Sequence, residues 1–423
     1  MQTTDWLRLS LIPGIGDRAI TQLLTAFGSP EAVLACSRGA LSPYLSPKQI
    51  DALLAGPDAT LLAQTEAWLT QDGHSLMTLA DADYPVYLSE IADAPPLLYC
   101  MGRRELLNRA CLGIVGSRNA TPQGVLDAEA FAAALSHTGL TIVSGMALGI
   151  DAAAHRGGLT GLGSSIAVVG TGLDRIYPAR NKTLAHQLAE KGLIVSEFPL
   201  GTPPLPGHFP KRNRIISGLA RGVLVVEAAP DSGSLITARV AAEQGRDVFA
   251  IPGSIHSPLS RGCHALIKQG AKLVESAADV LEEMAWAITT PPVNPGTPAP
   301  DSGSLITARV AAEQGREVFA MPGSIHSPLS RGCHALIKQG AKLVESAQDV
   351  LEEMAWAITT PPILQDSPVP DLIWDAMDAA PMTADSIAER CGLTLDALSA
   401  KLLMLELEGR VATLPGGRYQ KLN

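Results

Sequence analysis

Aromatic residues, charged residues and closely spaced cysteines are all scarce in this chain of 423 residues. Aromatics make up 4% of the sequence and charged residues 17%. The six cysteines lie far apart without a Cys-x-x-Cys spacing, which argues against a disulfide framework and against a zinc site. No apolar run is long enough to span a membrane, and no basic segment precedes an apolar one at the N-terminus. We therefore expect a cytoplasmic protein with reduced cysteines and no bound metal.

Apolar residues, in contrast, are plentiful. They make up 46% of the chain, which predicts a globular body with disorder confined to short linkers. The length exceeds what one compact core holds and indicates about two to four domains.

The net charge of −10 argues against a nucleic-acid binder, since cations that contact phosphates are the usual source of affinity. The distribution of charge points the other way. From Phe198 to Val226 there is no Asp or Glu, and the cations in that stretch are Lys211, Arg212, Arg214 and Arg221. A basic patch of this kind attracts a polyanion locally even on an acidic protein.

Residues 1–72 read as a domain of short helices. Apolar residues at helical spacing flank Pro13-Gly14-Ile15-Gly16, a pattern typical of a helix-hairpin-helix (SAM-like) domain, whose Gly-rich hairpin exposes backbone N–H groups to a phosphate. A plain helical turn that needs glycine explains the pattern equally well.

Residues 73–292 form the second predicted domain, in which short apolar runs alternate with helical periods. The runs are Cys111 to Val115, Thr141 to Val143, Ile166 to Val169, Leu193 to Val195, Val223 to Val226 and Val248 to Ile251. Continuously apolar strands alternating with helices predict a doubly wound α/β fold with a parallel sheet. Ligands of such sheets bind beyond the carboxyl ends of the strands.

A tandem repeat follows. Residues 230–292 (copy one) and 300–362 (copy two) are identical except at Asp247/Glu317, Ile251/Met321 and Ala278/Gln348, and residues 293–299 join them. Only copy one directly follows an apolar strand, so short connections favour copy one as the part that completes the sheet. We expect copy two to lie outside the main sheet or to swap for copy one.

Residues 363–423 follow a winged-helix pattern. Leu372 to Met377, Ala384 to Cys391 and Leu395 to Leu407 have helical spacing, and Val411 to Leu414 with Arg418 to Lys421 predicts a hairpin. The third helix carries more acid than base, which favours contact with protein over contact with DNA.

Two Gly-rich loops follow the first two central strands. In Gly116 to Thr121, Arg118 supplies a fixed charge, although an ordinary strand-to-helix turn is the alternative. The loop from Ser144 to Asp151 resembles a phosphate nest without the lysine of a P-loop, so nucleotide hydrolysis is not expected. Asp151 and His155 are four residues apart and share a helix face; a structural pair is the first interpretation and an acid/base pair the second.

Two later loops carry most of the cations. Gly170-Thr171-Gly172 starts like a dinucleotide fingerprint, but Arg175 replaces the small residue that such a site needs. Arg180 and Lys182 can instead hold successive phosphates, and Tyr177 offers a face for stacking. The segment from His208 to Gly218 places three cations in four residues beside an aromatic, which suits a sugar-phosphate backbone. A solvated helix start is the alternative, although no acidic partner lies nearby in sequence.

These motifs together resemble the DNA-processing protein A (DprA/Smf) family. The resemblance rests on Tyr84-Pro85, Pro95 to Tyr99, Gly116 to Arg118, Ser144-Gly145, Gly149 to Asp151, His155, Tyr177-Pro178, Asn181, Phe209-Pro210 and Arg212 to Ile216. It implies an extended Rossmann-like domain, a winged-helix domain and a non-enzymatic homodimer that binds single-stranded DNA without a cofactor and loads RecA recombinase in natural transformation. The sequence departs from the family pattern at two places. Ala179 stands where the family usually has lysine. The second departure is the repeat, because the family's dimer and recombinase contacts would fall in Gly262 to Ala271 or in its duplicate, Gly332 to Ala341.

The loops and the resemblance predict one DNA-contacting pocket. Its residues are Gly116, Ser117, Arg118, Ser144, Gly145, Gly149, Asp151, His155, Tyr177, Arg180, Asn181, Lys182, Lys211, Arg212, Asn213, Arg214, Ser232, Gly233 and Ser234. The competing hypothesis is a Rossmann-like enzyme acting on a nucleotide or phosphoribosyl group, because Gly-rich loops on a parallel sheet serve mononucleotides equally well.

Overall fold

The computed structural model of the chain describes residues 3–284, 303–354, 377, 382–391, 398, 402, 411–414 and 418–421. Residues 1–350 form one compact unit and residues 351–423 a second. Among the helices of these described residues, none has both the length and the apolar character needed to cross a membrane.

Short helices occupy the N-terminal region, as predicted. A cluster around Leu9, Leu23 and Leu41 forms their own small core. The residues Pro13 to Gly16 form the turn between the first two helices. The six helices are α1 (Thr3–Ser10), α2 (Asp17–Phe27), α3 (Pro30–Leu34), α4 (Arg38–Leu41), α5 (Pro47–Ala55) and α6 (Ala59–Leu69).

A nine-stranded sheet forms the centre of the first unit, in the order β1-β2-β6-β5-β4-β3-β7-β8-β9. From β6 to β9 all neighbouring strands are parallel, so the predicted doubly wound α/β fold is confirmed. The strands are β1 (His74–Thr78), β2 (Leu97–Gly102), β3 (Cys111–Gly116), β4 (Thr141–Ser144), β5 (Ser165–Val168), β6 (Leu193–Ser196), β7 (Gly222–Val226), β8 (Asp247–Ala250) and β9 (Lys272–Leu273).

Sequence analysis missed the first two strands. They pair antiparallel with each other and extend the sheet beyond β6, with Tyr99 opposite Ser196. The first strand begins with His74 and Ser75, which breaks the continuous apolar character that identified the other strands.

Helices cover both faces of the sheet. Along β3, Leu112 and Ile114 pack with α8 and α9 on one face, and Cys111 and Val115 pack with α11 and α12 on the other. This double burial explains why the strand sequence is continuously apolar. The helices are α7 (Val86–Ser89), α8 (Pro122–His137), α9 (Ile150–Gly158), α10 (Lys182–Lys191), α11 (His208–Leu219), α12 (Gly233–Glu243), α13 (Arg261–Lys268) and α14 (Ala277–Glu283), with 3₁₀ turns at Arg104–Asn108 and Ala179–Asn181.

Copy one completes the nine-stranded sheet with β8 and β9, and copy two lies outside it, as predicted. The strands of copy two form a separate parallel pair. The elements of copy two are α15 (Gly303–Glu313), β10 (Phe319–Ala320), a 3₁₀ turn (Pro328–Ser330), α16 (Arg331–Lys338), β11 (Lys342–Leu343) and α17 (Ala347–Glu353).

The second unit contains β12 (Met382–Thr383), α18 (Ala384–Cys391), β13 (Val411–Leu414) and β14 (Arg418–Lys421). The strands β13 and β14 form the predicted antiparallel hairpin, and β12 pairs with β14. Apart from Met377, Leu398 and Leu402, the residues of the predicted helices at Leu372 to Met377 and Leu395 to Leu407 lie outside the described residues.

A buried ion cluster joins α2 to α11 and corrects the interpretation of two predicted DNA contacts. The Arg214 guanidinium, nearly buried, pairs with Glu197, with Asp17 at 3.3 Å and with Asp93 at 3.2 Å. The Lys211 ammonium lies 2.8 Å from Asp17 and 3.1 Å from Glu197. Asp17 and Asp93 come from distant parts of the sequence, and Glu197 lies just before the stretch without acidic residues. Arg214 and Lys211 are therefore held in ion pairs within the fold.

The cluster predicts a pH dependence of stability. Burial raises the pKa of Glu197 to about 7, against the opposing effect of Arg214 and Lys211, while the pKa of Asp17 is lowered. The folded state therefore holds a proton on Glu197 that the unfolded state releases above its ordinary pKa, and stability falls as pH rises from about 4.5 to about 7.

Replacing Glu197→Gln should flatten this decline, which we expect to be on the order of 1–3 kcal/mol in the native chain. Urea unfolding at pH 5, 6, 7 and 8 measures the slope. Glu190→Gln on the exposed side of α10 is the matched control and should keep the native profile. An equally steep decline in Glu197→Gln would contradict the assignment.

Candidate nucleic-acid interface

A cleft of about 450 Å³ lies where the loops after β3, β4 and β7 meet the start of α11. This is the edge at which parallel α/β sheets bind their ligands. The lining residues are Val115, Gly116, Ser117, Arg118, Asn119, Ala147, Asp151, Phe209, Arg212, Asn213, Ile216, Ala229, Asp231, Ser232, Gly233, Ser234, Thr237 and Leu259.

The first loop supplies an exposed cation on a fixed backbone. The Ser117 N–H donates to the Glu227 carbonyl at 2.8 Å, which ties the loop to the end of β7. Thr121 caps α8 by accepting from the Gly124 N–H at 3.0 Å, so the cap interpretation holds for Thr121. The Arg118 side chain, in contrast, points out over the Phe209 ring, 5.7 Å from its centre. Arg118 is therefore available to a ligand.

The second loop is held from behind by buried polar side chains. The Met146 N–H donates to His155 Nε2 at 3.2 Å, and His155 Nδ1 lies 2.7 Å from Ser165 Oγ. Asn181 Nδ2 donates to the Met146 carbonyl at 2.8 Å. Ser144 Oγ donates to the Ile114 carbonyl at 2.6 Å. These side chains fix the loop and do not line the cleft.

The side chains of His155, Ser144 and Asn181 thus support the loop and are not among the residues that line the cleft. His155 is fully buried, and desolvation lowers its pKa to about 3, so it is neutral at physiological pH. No hydrogen bond joins it to Asp151 among the described residues; Asp151 Oδ2 instead accepts from the Ala147 N–H at 3.2 Å. The helical pair is structural, but each member bonds to the loop backbone and not to the other.

Two glycines let this loop pass close to its neighbours. A Cβ on Gly149, whose φ is +75°, would lie 2.3 Å from the Ser117 carbonyl oxygen. A Cβ on Gly145 would lie 1.5 Å from Arg212 Nη1. The Arg212 guanidinium thus lies directly against the loop backbone at a place that only glycine leaves open.

Arg212 is the buried cation of the cleft. Its side chain is nearly buried, and burial lowers its pKa to about 10, which leaves it charged at neutral pH. It makes no ion pair with any residue of the described chain. The carboxylate that acts on it is Asp151, whose pKa burial raises and Arg212 lowers. Burying a cation without a paired carboxylate is costly, so the site favours an anion from outside.

The N-terminus of α12 closes the other side of the cleft. The Ser234 N–H donates to Ser232 Oγ at 3.3 Å, and the two hydroxyl oxygens lie 2.6 Å apart. The exposed Gly233 has no atom near the position of a Cβ. The positive end of the helix dipole here suits a phosphate oxygen, whereas Asp231 at the rim opposes one.

The third loop contributes an aromatic and two outlying cations. The half-exposed Tyr177 ring lies 5.7 Å from the Phe209 ring. Arg180 and Lys182 are exposed, but neither lines the cleft. Tyr177, Phe209 and Arg118 form a continuous surface at the mouth of the cleft.

The structure therefore brings together only part of the predicted pocket. The predicted residues that line the cleft are Gly116, Ser117, Arg118, Asp151, Arg212, Asn213, Ser232, Gly233 and Ser234. Sequence reasoning left Phe209, Asn119, Asp231 and Thr237 out of the site. Phe209 was detectable as the aromatic beside the cations, and Thr237 as one helical turn beyond Gly233.

Two family descriptions match the chain. The family described as DNA recombination-mediator protein A matches residues 75–285 and 298–355, so its match is split across both copies of the repeat. The DprA winged helix domain matches residues 357–417, which confirms the winged-helix prediction for the tail.

Individual relatives agree with this. Protein Smf of Escherichia coli is 36% identical over 421 residues, covering 99% of this chain and 95% of that protein. DNA processing protein DprA of Streptococcus pneumoniae is 52% identical over 206 residues, covering 49% of this chain and 73% of that protein. The X-ray structure of the Streptococcus pneumoniae protein superposes with a TM-score of 0.58 at 41% identity, covering 67% of this chain and 99% of that one.

The contact between Gly145 and Arg212 yields a prediction. Gly145→Ala should force the buried guanidinium out of its place and destabilise the fold by about 1–3 kcal/mol, as overpacking does. Gly207→Ala is the matched control, because Gly207 lies just before α11, the helix that carries Arg212, and has nothing near its Cβ position. It should change stability by less than about 0.5 kcal/mol. Urea unfolding measures both. Equal stability of the two variants would contradict the described packing of Arg212.

Proposed function

Because the chain belongs to the DNA recombination-mediator protein A (DprA/Smf) family, we propose that it is a DNA-processing protein whose cleft binds single-stranded DNA in the cytoplasm. The observation that carries the proposal is a pair of cations, Arg118 at the mouth of the cleft and Arg212 within it. Neither forms an ion pair among the described residues, and the buried Asp151 is the carboxylate that acts on both from within the cleft. A phosphate between them would neutralise both charges.

The preference for a single strand rests on the shape and chemistry of the surface. Tyr177 and Phe209 present ring faces beside Arg118, and unstacked bases bind such faces whatever their sequence. In a duplex these base faces are stacked inside the helix and unavailable. The sequence preference is expected to be weak, because stacking on a ring face does not distinguish one base from another.

Binding without catalysis is part of the proposal. The helical pair of Asp151 and His155, the strongest candidate for acid/base chemistry, is divided between separate backbone contacts. The low pKa of His155 makes it a poor proton carrier near neutral pH. These observations argue against acid/base catalysis by this pair. An enzyme that acts on a mononucleotide is the alternative that binding experiments must exclude.

The finer roles follow from the family resemblance alone. We propose that the bound strand is protected and then passed to RecA recombinase, and that this serves natural transformation. The homodimer that the resemblance also implies is a separate expectation, since it depends on whether copy two leaves the segment Gly262 to Ala271 accessible.

Salt dependence tests the nature of the ligand. The cations available are Arg118, Arg180, Lys182, Arg212 and, in part, Lys211. If about five phosphates are neutralised, the logarithm of affinity for a fluorescent single-stranded oligonucleotide should fall with the logarithm of salt at a slope near −3.5. Flat salt dependence, or tight binding and turnover of a nucleoside monophosphate, would support the enzyme instead.

Single substitutions test the cleft itself. Arg118→Ala should weaken oligonucleotide binding roughly tenfold and leave stability unchanged, because the side chain is exposed. Arg156→Ala removes a cation of equal charge that pairs with Glu129 at 2.9 Å on the outside of α9, and should leave binding near native. A larger loss in Arg156→Ala than in Arg118→Ala would place the strand elsewhere.

A further inference from the structure

Copy one and copy two contact each other through reciprocal polar pairs. His264 Nδ1 lies 2.8 Å from Glu345 Oε1, and the equivalent His334 Nδ1 lies 2.7 Å from Glu275 Oε1. Each pair therefore recurs with the two copies exchanged.

The lysines also form reciprocal ion pairs between the two copies. Lys268 Nζ lies 2.6 Å from Asp349 Oδ2, and the equivalent Lys338 Nζ lies 2.7 Å from Asp279 Oδ2. Each lysine also approaches the glutamate of the opposite copy, at 3.2 Å for Lys268 and 3.0 Å for Lys338.

The apolar part of the contact is also reciprocal. Helix α13 of copy one packs against β11 of copy two, and α16 of copy two packs against β9 of copy one. Leu343 is buried in the same cluster as Leu273 and Ile267 of copy one, and Ile337 packs against that cluster. The contact is thus a desolvated centre flanked on both sides by matching ion pairs.

Reciprocal contacts of this kind are what a two-fold axis between identical surfaces produces. The surroundings of the two copies differ. Copy one continues the nine-stranded sheet through β8, whereas the strands of copy two pair only with each other. In copy one Gly262 packs on Ala228 after β7, and in copy two the equivalent Gly332 packs on Leu305. The shared feature is therefore the surface that each presents to the other.

We propose that copy two is a built-in partner that occupies the chain's own self-complementary surface, the face of α13 and β9. A second copy of this chain is the partner that the face would otherwise take, and copy two excludes it. The chain is then a monomer that carries a pseudo-dimer contact inside it. A tethered partner acts at an effective concentration on the order of millimolar, so a free chain at micromolar concentration is outcompeted by roughly 10²- to 10³-fold.

Zero-length cross-linking of the full chain tests the proposal. A carbodiimide joins a lysine amine to a carboxylate only where the two are in contact, so Lys268 should couple to Asp349 and Lys338 to Asp279. The carboxylate peptides are distinguishable because Ala278 precedes Asp279 and Gln348 precedes Asp349. Lys268→Arg should abolish only the Asp349 product, and Lys338→Arg only the Asp279 product, since arginine keeps the ion pair but does not react.

The cross-linking is done on an equal mixture of ¹⁴N- and ¹⁵N-labelled chains. We expect both products at monomer mass and with a single label. Products that join one label to the other would show that the contact forms between chains, and the absence of both products would show that it does not form; either result overturns the proposal.

A substitution in copy two that weakens this contact should expose the face of α13 and β9. Leu343→Asp is expected to abolish the Asp349 product and to double the mass measured by light scattering, because the face of copy one becomes free to pair with that of another chain. Adding Lys268→Glu places like charges opposite Glu275 and Asp279 of the second chain and should restore the monomer. A Leu343→Asp chain that loses the product and stays monomeric would contradict the self-complementary surface.

Discussion

The candidate site depends on one buried cation. The Arg212 guanidinium lies against the backbone of Gly145, charged and without an ion pair within the described chain. Desolvating such a group costs several kcal/mol unless an opposing charge compensates it. Asp151 compensates only in part, because it is itself buried and bonded to the Ala147 N–H. This charge is held inside the cleft by the loop from Ser144 to Asp151, which His155 and Asn181 support from behind. The start of α12 lies on the opposite side of the cleft.

Helix α11 separates structural cations from the cleft cation by its periodicity. Lys211 and Arg214 are three residues apart and share one helix face, where they pair with Asp17 and Glu197. Arg212 lies about 100° around the helix from Lys211 and faces the cleft. One run of cations thus has two environments. One helix face forms ion pairs with Asp17 of the N-terminal helices, and the other faces the cleft in which we propose that DNA binds.

The sequence was sufficient for features that depend on local pattern. The six central strands were predictable because both of their faces are buried. The position of copy two outside the nine-stranded sheet was predictable because no apolar strand precedes it. The partners of Arg214 were not, because Asp17 and Asp93 come from parts of the chain that only the fold brings together. The positions of Ser144, His155 and Asn181 behind the loop were not predictable for a related reason: residue type and spacing do not show on which side of a loop a side chain lies. The reciprocal contact between the copies was equally hidden, since identical sequences do not reveal that their surfaces match each other.

The central claim is that a DNA strand lies across the mouth of the cleft, beside Arg118 and above Arg212. Photo-crosslinking with a single-stranded oligonucleotide that carries 5-iodouracil tests it most directly, because this base couples to aromatic rings on which it stacks. Peptide mass spectrometry should find the oligonucleotide attached to Phe209 and Tyr177. Attachment confined to residues 1–72 or to residues 363–423 would contradict the account.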